Sequence, residues 1–239
     1  MDEGSAKQTN PAGVLEELRR REAALRQFVA LAAHELRAPA AVVHGVAATI
    51  AARPDQLTGE QKDDLVRMLL EQSERLVSLL DQLLNLSLLD ADAVRIERHM
   101  LSIRPRLEEI VASVAGGRAE EIELDVDGAL EAHLDPDAFD RIVGNLVTNA
   151  LRYGAAPVRI SATQVDRHFR LTVEDGGAGV KPELEGRLFE RFAREPGAGS
   201  GLGLAIAQSY AHALGGSILY EPANPGARFR VVVPAPRPS

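Results

Sequence analysis

The 239-residue sequence has no cysteine and no tryptophan, and aromatic residues make up only 4% of it. The absence of cysteine excludes disulfides, thiolate catalysis and cysteine-based zinc sites, and it fits a reducing cytoplasm, where we expect the chain to work. Because 45% of the residues are hydrophobic and few are aromatic, Leu, Val, Ile and Ala must build the core. This composition favours helical packing over an aromatic-rich β-sandwich.

Two further absences narrow the class of partner. The formal net charge is −8 at pH 7, and nucleic-acid binding needs a concentrated basic surface, so we do not expect nucleic acid as a partner. No uninterrupted apolar stretch approaches the roughly 20 residues that span a bilayer. Residues 1–13 are polar, unlike a signal peptide. We therefore expect no membrane segment in this chain, which is long enough for two modest domains.

Apolar residues recur at spacings of three and four between residues 14 and 50, which predicts one long amphipathic helix. After a break at residues 53–55, Thr58 and Gln61 resemble a capping box at the start of a second helix that runs to about Asp90. An isolated two-helix hairpin buries too little apolar surface to be stable. We expect two hairpins to form a four-helix bundle in a homodimer. The alternative is that both helices pack on the rest of the same chain.

The pattern changes after Asp90 to short β-like runs that alternate with helices. Short turns between several runs favour a mixed or antiparallel sheet, and the segment as a whole predicts an α/β sandwich. The predicted strands cover residues 94–103, 121–126, 158–165, 169–174, 217–220 and 229–233, and the predicted helices cover residues 105–114, 136–153 and 202–214. The fold class is therefore α+β, with a flexible tail at 1–13, the hairpin at 14–91, the α/β domain at 92–234 and a tail at 235–239.

One predicted helix of the second domain carries groups that suit a bound nucleotide. Asn145 and Asn149 are four residues apart, so both amides project from one face. Amide oxygens are hard ligands of the kind that Mg²⁺ prefers, and Arg152 on the same side can meet a phosphate. Asparagines in helices also commonly cap or bridge the backbone, so the spacing alone leaves both interpretations open.

Two glycine-rich loops lie farther along the chain. The loop at residues 175–179 follows a strand-like run; its glycines allow a flat ligand to approach, and Asp175 can accept a hydrogen bond from an exocyclic amine such as that of adenine. An Asp-Gly hairpin turn is the structural alternative for this loop. The loop at residues 199–204 opens a helix, where backbone N–H groups and the positive end of the helix dipole favour phosphate. It matches neither the P-loop nor the Rossmann order.

Taken together, five motifs resemble those of bacterial sensor histidine kinases of two-component systems, which carry a Bergerat-type (GHKL) ATP-binding domain. The resemblance covers roughly residues 28–233. The motifs are the H box AHELRAP (33–39), the N box NLVTNA (145–150), the G1 box DGGAG (175–179), the F box FERF (189–192) and the G2 box GSGLGL (199–204). The resemblance makes the hairpin the dimerisation and histidine-phosphotransfer domain and the α/β domain the ATP-binding catalytic domain.

The resemblance implies a protein histidine kinase that uses ATP and Mg²⁺ to phosphorylate itself on His34. The phosphoryl group would then pass to an aspartate in the receiver domain of a response regulator, in two-component signal transduction. His34 would attack through Nε2, while Glu35 would hydrogen-bond Nδ1 and either fix the tautomer or take the proton. Mg²⁺ would be held by Asn149 and Asn145. The residues implied to bind ATP are Asn145, Asn149, Arg152, Asp175, Gly177, Gly179, Arg191, Arg194, Gly199, Gly201, Leu202 and Gly203.

Two positions refine this expectation. Ala38 stands where the family usually has Thr or Asn, a side chain that positions water for dephosphorylating the regulator, so we expect weak phosphatase activity. Asn145 stands where related ATPases carry a Glu that activates water. Because an amide cannot act as that base, the substitution favours transfer to His34 over hydrolysis. The alternative is a degenerate kinase that acts as a nucleotide- or regulator-binding dimer scaffold.

Overall fold

The computed structural model describes residues 11–52, 56–90, 95–194 and 200–236. The chain divides into two compact units, Met1–Leu80 and Asp81–Ser239. The first unit contains helix α1 (Pro11–Ala52) and most of helix α2 (Gly59–Asp90), and the second contains the rest of the chain. Among the described residues, no helix combines the length and the apolar character that crossing a bilayer requires.

Helix α1 buries one continuous seam. Ala32, Pro39 and Val46 are buried and follow one another at the heptad spacing of seven residues. The helix continues through Pro39, although the ring nitrogen of that residue has no hydrogen to donate to the carbonyl one turn earlier. His34 lies on the side of the helix away from this seam, and its side chain is exposed.

Helix α2 begins with the capping box that the sequence predicts. The N–H of Thr58 donates to Oε1 of Gln61 at 3.0 Å, and the N–H of Gln61 donates to Oγ1 of Thr58 at 3.3 Å. These two bonds satisfy donors that have no partner within the helix, and each such cap stabilises a helix by about 1 kcal/mol. Both hydrogen bonds of the capping box are present, which confirms the predicted start of the second helix.

Helix α2 has two apolar faces. Its inner face holds the partly or fully buried leucines of the predicted seam, Leu65, Leu69, Leu76, Leu79 and Leu83. A second face is exposed and holds Val66, Leu70, Val77, Leu80 and Leu84, with exposed fractions from 47% to 62%. We call this second set the outer stripe. At 3.6 residues per turn its members fall within roughly 80° of one another, and the stripe is centred roughly 100° from the inner face.

The second unit is built on a five-stranded mixed sheet in the order β2-β4-β5-β7-β6. Strands β2 and β4 are parallel, and every other neighbouring pair is antiparallel, which confirms the predicted mixed α/β architecture. These strands are β2 (Ile122–Val126), β4 (Val158–Val165), β5 (His168–Glu174), β6 (Ser217–Pro222) and β7 (Ala227–Pro234). A separate ribbon pairs β1 (His99–Ser102) with β3 (Glu131–Leu134) in antiparallel fashion. The helices are α3 (Ile103–Ala115), a 3₁₀ helix (Gly116–Glu121), α4 (Pro136–Tyr153), α5 (Pro182–Glu185) and α6 (Gly203–Ala213).

The predicted strand at residues 94–103 is confirmed over His99–Ser102, which form β1, and is wrong on either side of it. Residues 95–98 are not in a strand, Ile103 begins α3, and residue 94 lies outside the described residues. Two long-range hydrogen bonds hold this segment: the N–H of Glu97 donates to Oδ2 of Asp135 at 2.7 Å, and the side chain of Arg98 donates to the carbonyl of Leu214 at 2.8 Å. Strand β3, the 3₁₀ helix and α5 were not predicted, because each is too short for its periodicity to register.

Helix α4 is positioned at its start by Asp135. One carboxylate oxygen of this buried residue accepts the N–H of Ala138 at 2.8 Å, which caps the helix, while the other accepts from the segment that enters the domain. Pro136 occupies the first turn, where a missing N–H does no harm. The apolar face of α4 is buried over its whole length, so the polar face that carries the N box has a defined orientation.

Candidate functional site

The N box and the G2 box meet where α4 passes the start of α6. The side-chain nitrogen of Asn145 donates to the carbonyl of Arg141 at 2.7 Å. Since only the NH₂ group can donate to a carbonyl, the amide oxygen Oδ1 points the other way, toward α6. A Cβ placed on Gly203 would lie 2.9 Å from this oxygen, so a side chain there would collide with it. The structure therefore brings Asn145 and Gly203 together, with a hard oxygen at the N-terminus of a helix.

The other two predicted polar residues of α4, Asn149 of the N box and Arg152 just beyond it, lie one and two turns farther along the helix. Asn149 is partly exposed and Arg152 is exposed. The guanidinium carbon of Arg152 lies 5.7 Å from the centroid of the Tyr153 ring, within the range of a cation–π contact. All three predicted polar residues of α4 thus reach the surface, unlike the apolar residues between them.

The G1 box begins where β5 ends. Asp175 follows the last residue of this central strand and is only 5% exposed. Its Oδ1 accepts the N–H of Gly177 at 2.8 Å, and its own N–H donates to the carbonyl of Ala227 at 3.0 Å. Burial raises the pKa of the Asp175 carboxyl group, and the backbone N–H groups of Gly177 and Ala227 oppose that shift only in part. The Asp175 carboxylate is buried and can accept further hydrogen bonds, so it can bind a donor group of a ligand.

Glycines surround Asp175 because the backbone approaches it closely. A Cβ on Gly154, the residue after α4, would collide with the carboxyl group of Asp175. A Cβ on Gly177 would lie 2.8 Å from the Cα of Gly154 and 2.9 Å from Oδ1 of Asp175. The end of α4 and the G1 loop are therefore in direct backbone contact, and no larger residue fits at either position.

The F box is joined to the G2 box by the backbone. The N–H of Phe192 donates to the carbonyl of Gly201 at 2.8 Å. Gly201 has a φ of +68°, and a Cβ there would lie 2.7 Å from the carbonyl carbon of Phe192. Ser200 of the same loop donates from Oγ to Oε1 of Gln82 at 2.7 Å, and Leu202 is completely buried. The structure thus supplies a packing reason for the sequence of the G2 box.

The other predicted site residues are less closely defined. Gly179 has a φ of +77°, Arg191 and Arg194 are partly buried, and Gly199 lies outside the described residues. The predicted catalytic residues belong to α1 in the first unit, where His34 is exposed and Glu35 is partly exposed. Within the described part of the chain, no group of three or more His, Asp or Glu side chains could hold a metal ion.

Two glycines of the site were missed by the sequence analysis. Gly154 resembled an ordinary residue after a helix, and Gly226 resembled part of a surface turn in the run Asn-Pro-Gly. Gly226 has a φ of +102°, and a Cβ there would collide with the carbonyl oxygen of Asp175. An Asn-Pro-Gly turn predicts a sharp bend but cannot reveal which residue lies against it.

Two known domain families match this chain, one over the helical hairpin and one over the α/β domain. The phosphoacceptor domain of histidine kinases (His Kinase A) matches residues 24–92. The ATPase domain shared by histidine kinases, DNA gyrase B and HSP90 matches residues 134–237. Both domains occur here in the same order as the H box and the nucleotide motifs. The chain belongs to the sensor histidine kinases of two-component systems.

Individual histidine kinases agree with this assignment. The signal transduction histidine-protein kinase AfsQ2 of Streptomyces coelicolor is 31% identical over 220 residues, which are 86% of this chain and 41% of AfsQ2. The solved Acinetobacter baumannii histidine kinase AdeS superposes with a TM-score of 0.71 at 25% identity, over 85% of this chain and 98% of that one. Full-length ShkA in complex with AMPPNP superposes with a TM-score of 0.66 at 25% identity, over 87% of this chain and 46% of that one. This histidine kinase sequence spans less than half the length of the curated relatives it matches.

The buried carboxylate generates a testable prediction about stability. We expect Asp175→Asn to raise the melting temperature of the nucleotide-free kinase at neutral pH. Burial raises the pKa of Asp175 in the folded state, so its ionised form destabilises the fold at pH values above that pKa. The gain should shrink as the pH falls through the folded-state pKa and should vanish below the ordinary carboxyl value of 3.8, where Asp175 is protonated in both the folded and the unfolded chain. Thermal unfolding followed by circular dichroism over a pH series measures this.

Glu120→Gln is the matched control, since it neutralises an exposed carboxylate. It should leave the melting temperature nearly unchanged. A fall in melting temperature for Asp175→Asn at neutral pH would contradict the expected cost of burying this charge.

Proposed function

We propose that this chain binds ATP in the second unit, phosphorylates itself on His34 and passes the phosphoryl group to an aspartate of a response regulator. The observation that carries the proposal is the buried carboxylate of Asp175, which close-packed glycines hold at the end of the asparagine-bearing helix α4. The ATPase family match implies ATP as the ligand. We propose that this chain is located in the cytoplasm, because that compartment supplies ATP.

In the proposed complex, Asp175 accepts a hydrogen bond from the exocyclic amine of adenine. Its burial supports this role. A ligand with a hydrogen-bond donor satisfies the desolvated carboxylate, whereas a ligand without one leaves it unpaired and binds more weakly. The glycines at 154 and 177 let the end of α4 and the G1 loop approach the carboxyl group closely, which fixes its position. The same arrangement disfavours a purine that presents a carbonyl instead of an amine.

The phosphates are proposed to lie between α4 and the start of α6. The oxygen of Asn145 already points at that helix start, and Asn149 lies one turn away on the same face. These two amide oxygens would hold Mg²⁺ together with the phosphates and water, since the described acidic and histidine side chains offer no alternative cluster. That ion would neutralise charge on the transferring group. The remaining proposed phosphate ligands are Arg152, Arg191, Arg194 and the backbone of Gly199, Gly201, Leu202 and Gly203.

The proposed transfer step uses His34 as the nucleophile. Its Nε2 lone pair forms a bond to the γ-phosphorus as the bond from that phosphorus to the ADP oxygen breaks. The ring then carries an excess proton on Nδ1, which Glu35 can stabilise or accept. The exposed position of His34 supports this role, because the nucleotide is bound in the other unit and must reach the imidazole from outside the hairpin.

Asn145 also supports transfer rather than hydrolysis. An amide has no titratable group near neutral pH and cannot take a proton from water. In this structure its nitrogen is occupied by the carbonyl of Arg141, so its oxygen acts only as an acceptor or ligand. The scaffold alternative, in which nucleotide binds but no phosphoryl group is transferred, is not favoured by the match to the phosphoacceptor domain.

Incubation with γ-labelled ATP tests the phosphotransfer proposal. We expect acid-labile, base-stable label on the wild-type chain and a loss of essentially all label in His34→Ala. His44→Ala is the control, since His44 is also exposed on α1, and it should keep its label. Label that survives in His34→Ala, or bound nucleotide with no label on the wild type, contradicts the proposal.

We propose weak phosphatase activity because of Ala38. This residue is exposed one turn after His34, where a methyl group can neither donate nor accept a hydrogen bond. The water that would attack a phosphorylated regulator therefore has no partner at this position.

Replacement of that methyl group is the direct test. Ala38→Thr should speed dephosphorylation of a response regulator that the wild-type chain phosphorylates, by roughly tenfold or more, because positioned polar groups contribute on the order of 10² to 10⁴ in rate. Ala41→Thr, at another exposed alanine of α1, should change little. Equal rates for wild type and Ala38→Thr would refute this explanation.

We propose that the kinase is a homodimer through its hairpin. The outer stripe of α2 supports this, since it is an apolar face that the chain leaves exposed beside the face that forms the inner seam. In a four-helix bundle each helix contacts two neighbours, and faces roughly 100° apart suit that geometry. We further propose the domain boundary near residues 91–92, because Glu97 and Arg98 are bonded to the ATP-binding unit.

A charge on the outer stripe tests the dimer. Val77→Glu should weaken dimerisation by about 100-fold, since an unpaired carboxylate buried in the bundle costs about 3 kcal/mol. Met68→Glu is the control, because Met68 is similarly exposed but lies on the opposite side of α2. Sedimentation velocity over a dilution series gives both dissociation constants. A wild-type monomer, or equal effects of the two substitutions, would exclude the outer stripe as the interface.

A further inference from the structure

The turn between β6 and β7 lies against the G1 loop through backbone atoms. This turn, residues 223–226, is closed by the N–H of Ala223, which donates to the carbonyl of Gly226 at 3.1 Å. The next residue, Ala227, accepts the N–H of Asp175 at 3.0 Å. The turn is thus attached to the residue that carries the buried carboxylate, although about fifty positions of sequence separate them.

Gly226 is the point of closest approach. A Cβ on this residue would collide with the carbonyl oxygen of Asp175 and would lie 3.2 Å from Oδ1 of its carboxylate. Its φ of +102° is also a conformation that L-residues with side chains rarely adopt. On the other side, a Cβ on Gly179 would lie 3.1 Å from the carbonyl oxygen of Gly226. The turn and the G1 loop therefore interlock, each with a glycine where it meets the other.

We propose that Gly226 is a positioning residue for base recognition, holding the carboxylate of Asp175 where it selects a purine with a 6-amino group. Gly226 does not itself touch the base in this proposal. It sets how far the β6–β7 turn approaches, and thereby where the end of β5 places the carboxylate. The inference rests on the proposed contact between Asp175 and the adenine amine.

Binding of two nucleotides to the full chain tests this inference. The probes are ATP and purine riboside triphosphate, which lacks the 6-amino group and is otherwise the same. The wild type should prefer ATP by about tenfold to a hundredfold, the range for a hydrogen bond to a charged group. In Gly226→Ala this preference should fall to within about threefold, because the collision displaces the carboxylate, while the affinity for the analogue changes little.

Gly116→Ala is the matched control for backbone strain. Gly116 also has a positive φ, +53°, but a Cβ there would meet no atom within 4 Å, and it lies outside the nucleotide site. This variant should keep the wild-type preference. If both variants lost the preference equally, strain would explain the result and the inference would be overturned.

The remaining outcomes separate this inference from the role of Asp175. Asp175→Asn should abolish the preference for ATP; if it does and Gly226→Ala does not, Asp175 keeps its role and the inference fails. If the wild type shows no preference for ATP over the analogue, both the role of Asp175 and the inference about Gly226 are refuted. Equal weakening of both nucleotides in Gly226→Ala shows a merely structural role and overturns the inference. Should Gly226→Ala not fold, Gly179→Ala probes the same contact from the G1 loop, and an unchanged preference there overturns it.

Discussion

The close approach of three backbone segments around the buried carboxylate of Asp175 constrains most of the second unit. The end of α4, the G1 loop and the β6–β7 turn all meet there, with glycines at 154, 177 and 226 where a Cβ would collide. A packed interior cannot admit even one extra methyl group without strain, so a displacement of one of these segments displaces the other two. The proposed base pocket is thus a consequence of how the sheet and its helices are joined.

The hairpin depends on a different constraint: helix α2 has two apolar faces. The inner leucines of α2 are buried, while the outer stripe leaves apolar side chains half exposed or more. In the proposed homodimer a second hairpin covers the stripe, since scattered apolar exposure is ordinary but an aligned row marks an interaction surface. His34 lies on an exposed side of α1, so the proposed dimer interface and access to the proposed phosphoacceptor do not compete.

Local patterns were the most predictable features of this kinase. The capping box at Thr58 and Gln61 is confirmed because both partners lie within one turn, and the helix that carries Asn145 and Asn149 has the predicted bounds. The strand predicted at residues 94–103 is wrong at residues 95–98 for the opposite reason. The N–H of Glu97 bonds to Asp135 and the side chain of Arg98 bonds to the residue after α6, and no local periodicity connects either partner to this segment. The short strand β3 forms only because β1 lies beside it.

The sequence alone determined the family, the order of the two domains and the chemical identity of the motif residues, because residue type, spacing and periodicity are properties of the chain. The tertiary structure decided which groups meet. It placed the oxygen of Asn145 against Gly203 and set the turn at Gly226 against Asp175. These contacts join segments far apart in sequence, the first through the side chain of Asn145 and the second through the backbone of Asp175, and no local pattern relates their members. Only the folded chain can show where a side chain has no room.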